Sequence, residues 1–525
     1  MPGTADPISG LLMYPLTPGG LPPLWSQTHG PITLTYAFCD VEPASYPSQT
    51  GHLPGFQKIT DFVKSELRRE LAIVESVCGV TFAETSDVNA ANLEFFSYTL
   101  PQGVLGMGAY PAVDASGKPL RTAGDIAYAP AVLATIDAQG DYAGGVHHTL
   151  IHEILHALGL KHPQDGTVAQ QLPAALDHTT LTAMSYSVMP AWPVWRDYRS
   201  LFFYNVGSDA PRLLDVNVLQ FLYGPSQKIT APGDDVYRYD ATPGQHLIVD
   251  SGGVDTIDAS AAGKHASIID LRDGTTSSIA MWGSDDWVDT LTVDGHSRAT
   301  ALTAISGAGN ALYSGIDNLA IATGSKIENA IGGAANDQLS GNALNNELTG
   351  NGGDDLLDGR EGFDTAVFNG PSSAYKISRS SVSGAEGTDT LQSIEALRFA
   401  DKTFFAVSGE DATVARLYGA AFGRAPDAGG LAVQIGAHTG GVPLHSLAAN
   451  FIASAEFVAR YGASTSNADF AKALYGNVLG RTPDPDGLAV QVSALDAGLT
   501  RAQLLLNFAD SPENQARVAG DWLLV

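Results

Sequence analysis

Residues 152–163 read His-Glu-Ile-Leu-His-Ala-Leu-Gly-Leu-Lys-His-Pro. On a helix, His152 and His156 stand four residues apart and project from one face. Glu153 follows the first of them, beside that face rather than on it. Gly159 comes three residues after His156, where a glycine can take a positive φ and end the helix. The chain then turns back and returns His162 towards the first two imidazoles. The periodicity predicts this helix over 145–160. Outward from it, strands are predicted at 32–38, 80–83, 92–98, 104–110 and 126–128, with helices over 57–77 and 212–223. A strand, a long helical crossover and another strand is the βαβ signal of a parallel sheet.

Two imidazoles on one helical face plus a third from the following turn suit one tetrahedral zinc ion. Three protein nitrogens leave a coordination position open, the mark of a catalytic rather than a structural site. Glu153 is then placed as a general base, not a ligand. HExxH alone arises by chance in amphipathic helices, but Gly159 and His162 at fixed offsets complete the metzincin signature. His147 and His148 fall outside the spacing and read as polar or supporting residues. Residues 184–186 are Met-Ser-Tyr. On these motifs the chain resembles the serralysin family of metzincin endopeptidases. The resemblance implies Met184 as a structural residue flooring the site. It implies Tyr186 as a catalytic residue, which approaches zinc as an extra ligand and then stabilises the tetrahedral intermediate. Without the family, Met184 is a routine core methionine and Tyr186 a half-buried aromatic.

After Gly224 the composition shifts to Gly, Asp, Asn, Thr and Ser, and helical periodicity disappears through about 403. Segments 332–340, 341–349, 350–358 and 359–367 form a nine-residue period, each opening on glycine. Asp337, Asn346, Asp355 and Asp364 hold its sixth place; Leu339, Leu348, Leu357 and Ala366 hold its eighth. This is the pattern of calcium-binding repeats, in which turns of carbonyls and carboxylates stack around shared ions. The copy is imperfect, with Ala335 for glycine and Asn346 for aspartate, so few ions are expected, where the turns of Asp337 and Asp355 stack and where those of Asn346 and Asp364 do. Serralysins share this order of zinc motif and repeats. By the same resemblance, Gly233, Asp235, Asp250, Gly252 and Asp255 look like a calcium site at the domain junction. Glu328 resembles the calcium-ligating glutamate at the entry to the repeats. The cofactors implied are one catalytic Zn²⁺ and several structural Ca²⁺.

Residues from about 410 onwards read as helical and repeat with a period of 57: Tyr418 matches Tyr475, Gly423-Arg424 matches Gly480-Arg481, and Asn450-Phe451 matches Asn507-Phe508. This duplicated module resembles domain of unknown function 4214. Its Pro-Asp-x-x-Gly-Leu loops are expected to cap helices rather than bind a cation. The final Asp521-Trp522-Leu523-Leu524-Val525 resembles an uncleaved type I secretion signal.

The chain of 525 residues carries 56 acidic and 28 basic side chains, a net charge of −28. That balance argues against a nucleic acid partner. No apolar run is long enough for a transmembrane segment. Residues 1–25, rich in Pro and Gly, read as a flexible leader or short propeptide without the features of a signal peptide. The two cysteines, Cys39 and Cys78, are expected to be free thiols. The expected architecture is therefore multidomain: an α/β metzincin catalytic domain (26–224), a parallel β-roll of calcium-binding repeats (225–405) and an all-α C-terminal domain (406–525). The expected function is a secreted zinc metalloendopeptidase cleaving extended polypeptides. It would be a monomer, exported from a Gram-negative bacterium by type I secretion machinery. The alternative is a calcium-dependent cell-surface or adhesion protein in which proteolysis is secondary.

Overall fold

The computed structural model describes residues 7–13, 25, 29–43, 54–114, 118–139, 144–187, 191–195, 201–205, 210–241, 244–292, 296–307, 312–462 and 465–524. It forms two compact units, Met1–Ile327 and Glu328–Val525. Residues 225–327, expected to belong with the repeats, thus fall in the first unit.

In the first unit, helix α1 (Pro7–Leu11) precedes strand β1 (Ile32–Phe38), helix α2 (Asp61–Val77), and strands β2 (Val80–Glu84), β3 (Leu93–Ser97), β4 (Gly106–Gly108) and β5 (Ile126–Tyr128). Helices α3 (Pro130–Gln139), α4 (Gly144–Ala157) and α5 (Leu213–Tyr223) follow. The sheet order is β2-β1-β3-β5-β4. β2, β1, β3 and β5 are parallel, and β4 closes one edge antiparallel to β5. Two adjacent parallel strands need a crossover, and α2 supplies it between β1 and β2. Thr60 caps α2 by accepting from Val63 N at 3.2 Å, so this helix starts four residues later than the predicted 57. Its apolar stripe of Val63, Leu67, Leu71 and Val74 is buried in the core with Leu150, Ile151, Ile154 and Leu155 of α4. Each such side chain contributes roughly 2 kcal/mol by leaving water.

Three features differ from the sequence-based expectations. α3 follows Pro130, a residue pre-organised for a first helical turn, and was not predicted. Helices Ser284–Thr292 and Arg298–Gly307 interrupt the stretch expected to lack helices. The first has Asp285 and Asp286 in its opening turn and buries Trp287, Val288 and Leu291, a helical spacing within a glycine-rich background. Lastly, residues 7–13, expected within a flexible leader, are packed into the domain. Leu11 and Leu12 are fully buried, and Leu12 bridges Leu160 beside the zinc-motif turn. Residues 1–6, 14–24 and 26–28 lie outside the described residues, so the expected end of the leader at 25 is left there. Cys39 and Cys78 are buried and free.

In the second unit, short strands alternate between two sheets and pair in parallel through the repeats. Asn329–Ile331, Glu347–Thr349, Thr365–Val367 and Ala396–Arg398 pair in one; Gln338–Ser340, Leu356–Asp358 and Gly387–Gln392 pair in the other. Sequential strands therefore sit on opposite sheets, and the partner in each early step is 18 residues away. Ala330, Leu339, Leu348, Leu357 and Ala366 are fully buried. Among the described residues eight helices follow, and the four from Gly409–Phe422 to Ala455–Tyr461 recur from Asn467–Asn477 to Pro512–Val518. Asp427 and Asp484 cap equivalent helices, each accepting from a glycine N–H at 2.7 Å. The tail is docked: Phe405 N donates to Trp522 O and Leu524 N to Phe405 O, both at 2.8 Å. Among the described residues no helix is long and apolar enough to cross a membrane.

Candidate metal and catalytic site

α4 carries His152 and His156 on one face, and its end is fixed by the residues that follow. Gly159 takes φ +105°, and the chain turns there to deliver His162. The segment before β1 braces this turn: Met13 N donates to Gly159 O at 3.1 Å, and Lys161 N donates to Leu11 O at 2.8 Å. Lys161 Nζ also donates to Gly10 O.

The three imidazoles converge. His162 Nε2 lies 3.1 Å from His152 Nε2 and 3.0 Å from His156 Nε2. Tetrahedral zinc with nitrogen bonds near 2.05 Å separates its ligand nitrogens by roughly 3.3 Å, so the cluster has a suitable span. Each outer nitrogen has an acceptor: His152 Nδ1 faces Ala183 O at 2.8 Å, His156 Nδ1 faces Leu160 O at 2.8 Å, and His162 Nδ1 faces Asp165 Oδ2 at 3.0 Å. Holding the proton on Nδ1 leaves the Nε2 lone pair pointing inward, which is what a metal ligand requires. Burial pushes His152 down to about 4 and His156 well below the ordinary range, so the rings stay neutral. The donor set therefore fits a zinc ion. Tyr186 Oη lies 2.6 Å from His162 Nε2, at the mouth of the cluster.

Glu153 is buried beside the cluster. Burial pushes its carboxyl up to about 8, opposed by the Gly108 N–H. The edge strand β4 comes this close because Gly106 and Gly108 carry no side chain towards α4: a Cβ on Gly106 would meet Glu153 Cγ at 2.6 Å, and one on Gly108 would meet Glu153 O at 2.3 Å. Sequence reasoning missed both glycines; their signal is the small-large-small Gly106-Met107-Gly108 pattern.

Met184 is fully buried in the core shared with α4. The turn that carries it is held by Asp215, which sequence reasoning also missed. Asp215 accepts from Thr182 Oγ1 at 2.6 Å, Ala183 N at 2.7 Å and Arg212 N at 2.9 Å. Ala183 thus links Asp215, through its own N–H and C=O, to the ring of His152. His147 turns away to Glu70 on α2, 3.2 Å from its Nδ1, while His148 packs beside His152 with ring centres 5.9 Å apart.

In the first unit, carboxylate oxygens of Asp235, Asp250 and Asp255 lie within 4.8 Å of one another. Asp255 Oδ1 accepts from Asp235 N, and Asp250 Oδ1 from Gly252 N, each at 2.8 Å. Gly233 and Gly253 touch so closely that a Cβ on Gly253 would lie 1.9 Å from Gly233 O. Glu328, grouped with these residues by sequence, is the first residue of the second unit.

Within the second unit the repeat residues form two columns. Asp337 N donates to Asp355 Oδ1 at 2.8 Å and Asp355 N to Asp389 Oδ1 at 3.1 Å. Asn346 N donates to Asp364 Oδ1 at 2.7 Å and Asp364 N to Glu395 Oε2 at 2.8 Å. Asp389 and Glu395 extend the stacks but fall outside the nine-residue register, which hid them. Asp355 is raised to about 7 by burial and then by neighbouring carboxylates, and Asp364 to about 8 by burial and then by Glu395 and Asp358. The Asn346 amide instead donates to Glu328 O and Asn342 Oδ1, so that rung is satisfied without a cation.

Asp165→Ala removes the outer partner of His162 and is expected to weaken zinc binding by roughly 10–100-fold. His162→Ala removes a ligand and is expected to weaken it further. Competition with a chromophoric chelator measures both; equal affinity for the two variants and the parent contradicts the ligand assignment.

Residues 448–518 match the family described as Domain of unknown function (DUF4214). Metalloprotease AprA of Pseudomonas entomophila (strain L48) is 28% identical over 328 residues, covering 59% of this chain and 59% of that protein. Serralysin of Proteus mirabilis is 32% identical over 209 residues, covering 36% of this chain and 34% of the relative. Serralysin B of Dickeya chrysanthemi is 28% identical over 333 residues, covering 58% of each. The chain therefore spans at most about three fifths of the length of these relatives.

Proposed function

We propose that this chain, a serralysin relative with a DUF4214 region near its C-terminus, is a secreted zinc endopeptidase that cleaves extended polypeptides. The observation that carries this reading is the convergence of His152, His156 and His162 Nε2 with Glu153 buried alongside. Together with the Met184 turn it supports a metzincin type of catalytic domain. Zinc held by the three imidazoles would supply Lewis-acid polarisation and a lowered pKa for water. Glu153 takes the proton of the attacking water and returns it to the departing amine. Tyr186 Oη, exposed at the mouth, donates to the oxygen that becomes negative in the transition state. The two-column stack in the second unit supports a β-roll of calcium repeats, with Asp355 and Asp364 as its main carboxylates and the Asp235–Asp250–Asp255 cluster as a separate calcium site. Low cytoplasmic calcium would keep such a chain loose for type I export, and folding would follow outside.

Casein digestion by protein prepared with calcium, with and without a zinc chelator, tests the central reading. Activity that survives complete zinc removal rules it out.

The calcium reading gives a pH test. Asp355 and Asp364 have folded-state values raised to about 7 and about 8. From about pH 4 up to those values, the folded metal-free unit keeps protons that the unfolded chain has released. Its stability therefore falls as pH rises, by up to about 1.4 kcal/mol per pH unit for each full proton. A bound cation replaces those protons, so calcium flattens the dependence. Thermal melts in chelator should drop between about pH 5 and about pH 8, and melts in calcium should not. Identical curves with and without calcium would reject the site.

A further inference from the structure

The helical C-terminal region gathers positive charge in a chain that has twice as many acids as bases. Five of its 28 basic residues, Lys402, Arg416, Arg424, Arg460 and Arg517, line one cleft of about 570 Å³, against one acid, Asp521. Arg416 pairs with Asp510, and Arg424 with Glu456. Lys402, Arg460 and Arg517 form no ion pair with a carboxylate among the described residues.

The cleft is built by the duplication. Arg460 and Arg517 are 57 residues apart, so they are the same arginine from the two copies. Each stands in the last turn of its helix, Ala455–Tyr461 or Pro512–Val518. The Arg460 guanidinium lies over the bare backbone of Gly423, whose φ is +66°; a Cβ there would come within 2.1 Å of it. Arg517 donates to Val478 O. Lys402 Nζ donates to Asp521 O at 3.2 Å. Bonds to backbone carbonyls hold Arg517 and Lys402 in place without neutralising their charge. The amide of Asn477 and the ring of Trp522 also line the cleft.

We propose that this cleft binds an anionic saccharide, a sugar chain carrying carboxylate or sulfate groups. Guanidinium forks match such oxyanions in pairs. The Asn477 amide suits sugar hydroxyls. A site with three unpaired cations selects a ligand with more than one negative group. The uronate and sulfated forms share this chemistry and differ in source, which separate probes resolve.

The test uses the full zinc- and calcium-loaded chain, titrated calorimetrically at low ionic strength with trigalacturonate, a sulfated disaccharide and neutral cellotriose. Saturable binding of one or both anionic probes is expected, with none for cellotriose. Arg460→Gln and Arg517→Gln should each weaken it by roughly tenfold, the loss of about one charge-assisted contact. Arg298→Gln, which alters exposed pairs with Asp285 and Asp289 in the first unit, should leave it unchanged. If an arginine variant fails to fold, Lys402→Gln tests the same cleft. No saturable binding of either anionic probe, equal binding of cellotriose, or equal weakening by Arg298→Gln would overturn the proposal.

Discussion

Glu153→Ala is expected to yield a folded, zinc-loaded protein whose peptide hydrolysis is lower by about 10²–10⁴-fold, the usual share of a general base. The metal content should survive because the three nitrogens that converge belong to His152, His156 and His162. The fold should survive because Glu153 forms no ion pair among the described residues, and losing the bond from the Gly108 N–H to its carboxyl costs only about 1 kcal/mol. The loss should fall on kcat, since the carboxyl acts on the water rather than on the bound chain. Burial alone raises this group to about 8, and a cation held beside it would favour the charged form that accepts a proton. Glu153→Gln keeps the shape and removes only proton transfer, so it should match the alanine variant in rate. Metal analysis and hydrolysis of a quenched peptide, measured on the same samples, decide the matter. A variant with near-native activity, or one that has lost its zinc, refutes the assignment.

Asp215→Ala carries the largest expected effect on stability. The carboxylate is fully buried and accepts three hydrogen bonds from Thr182, Ala183 and Arg212. Removing it strands two backbone N–H groups without water, at about 1–3 kcal/mol each, so a loss of roughly 2–5 kcal/mol is expected. The same change should weaken zinc binding, because Ala183 O holds the outer nitrogen of His152. Asp215→Asn keeps the volume but turns one acceptor into a donor facing a donor, so it should rescue only part of the loss. Denaturant unfolding and chelator competition report the two effects separately. A variant with native stability and native zinc affinity would mean that the turn holds itself.

The convergence of His152, His156 and His162 was legible because they lie within eleven residues and their spacing is fixed by one helix and one turn. The sheet strands were legible because β1, β2 and β3 are apolar runs bounded by turns. Asp215 was not, since it reaches the Met184 turn across thirty residues and no local pattern ties them together. Gly106 and Gly108 were hidden for the same reason: their role is set by how closely a neighbouring helix approaches. The nine-residue period placed the turns of Asp337, Asp355 and Asp364. It stopped at 367, whereas the stacks continue to Asp389 and Glu395 through longer loops. The packing of residues 7–13 was not legible because a short helix between prolines has too few residues to show a period. Their burial comes from Leu160 and Lys161, far along the chain.

The docked tail has a consequence for timing. Trp522 and Leu523 are buried, and the backbone around them adds to the strand that ends at Phe405. Were an export apparatus to read Asp521–Leu524, it would have to do so before folding, because the folded chain hides Trp522 and Leu523; a message of that kind would be legible once, and early folding would erase it.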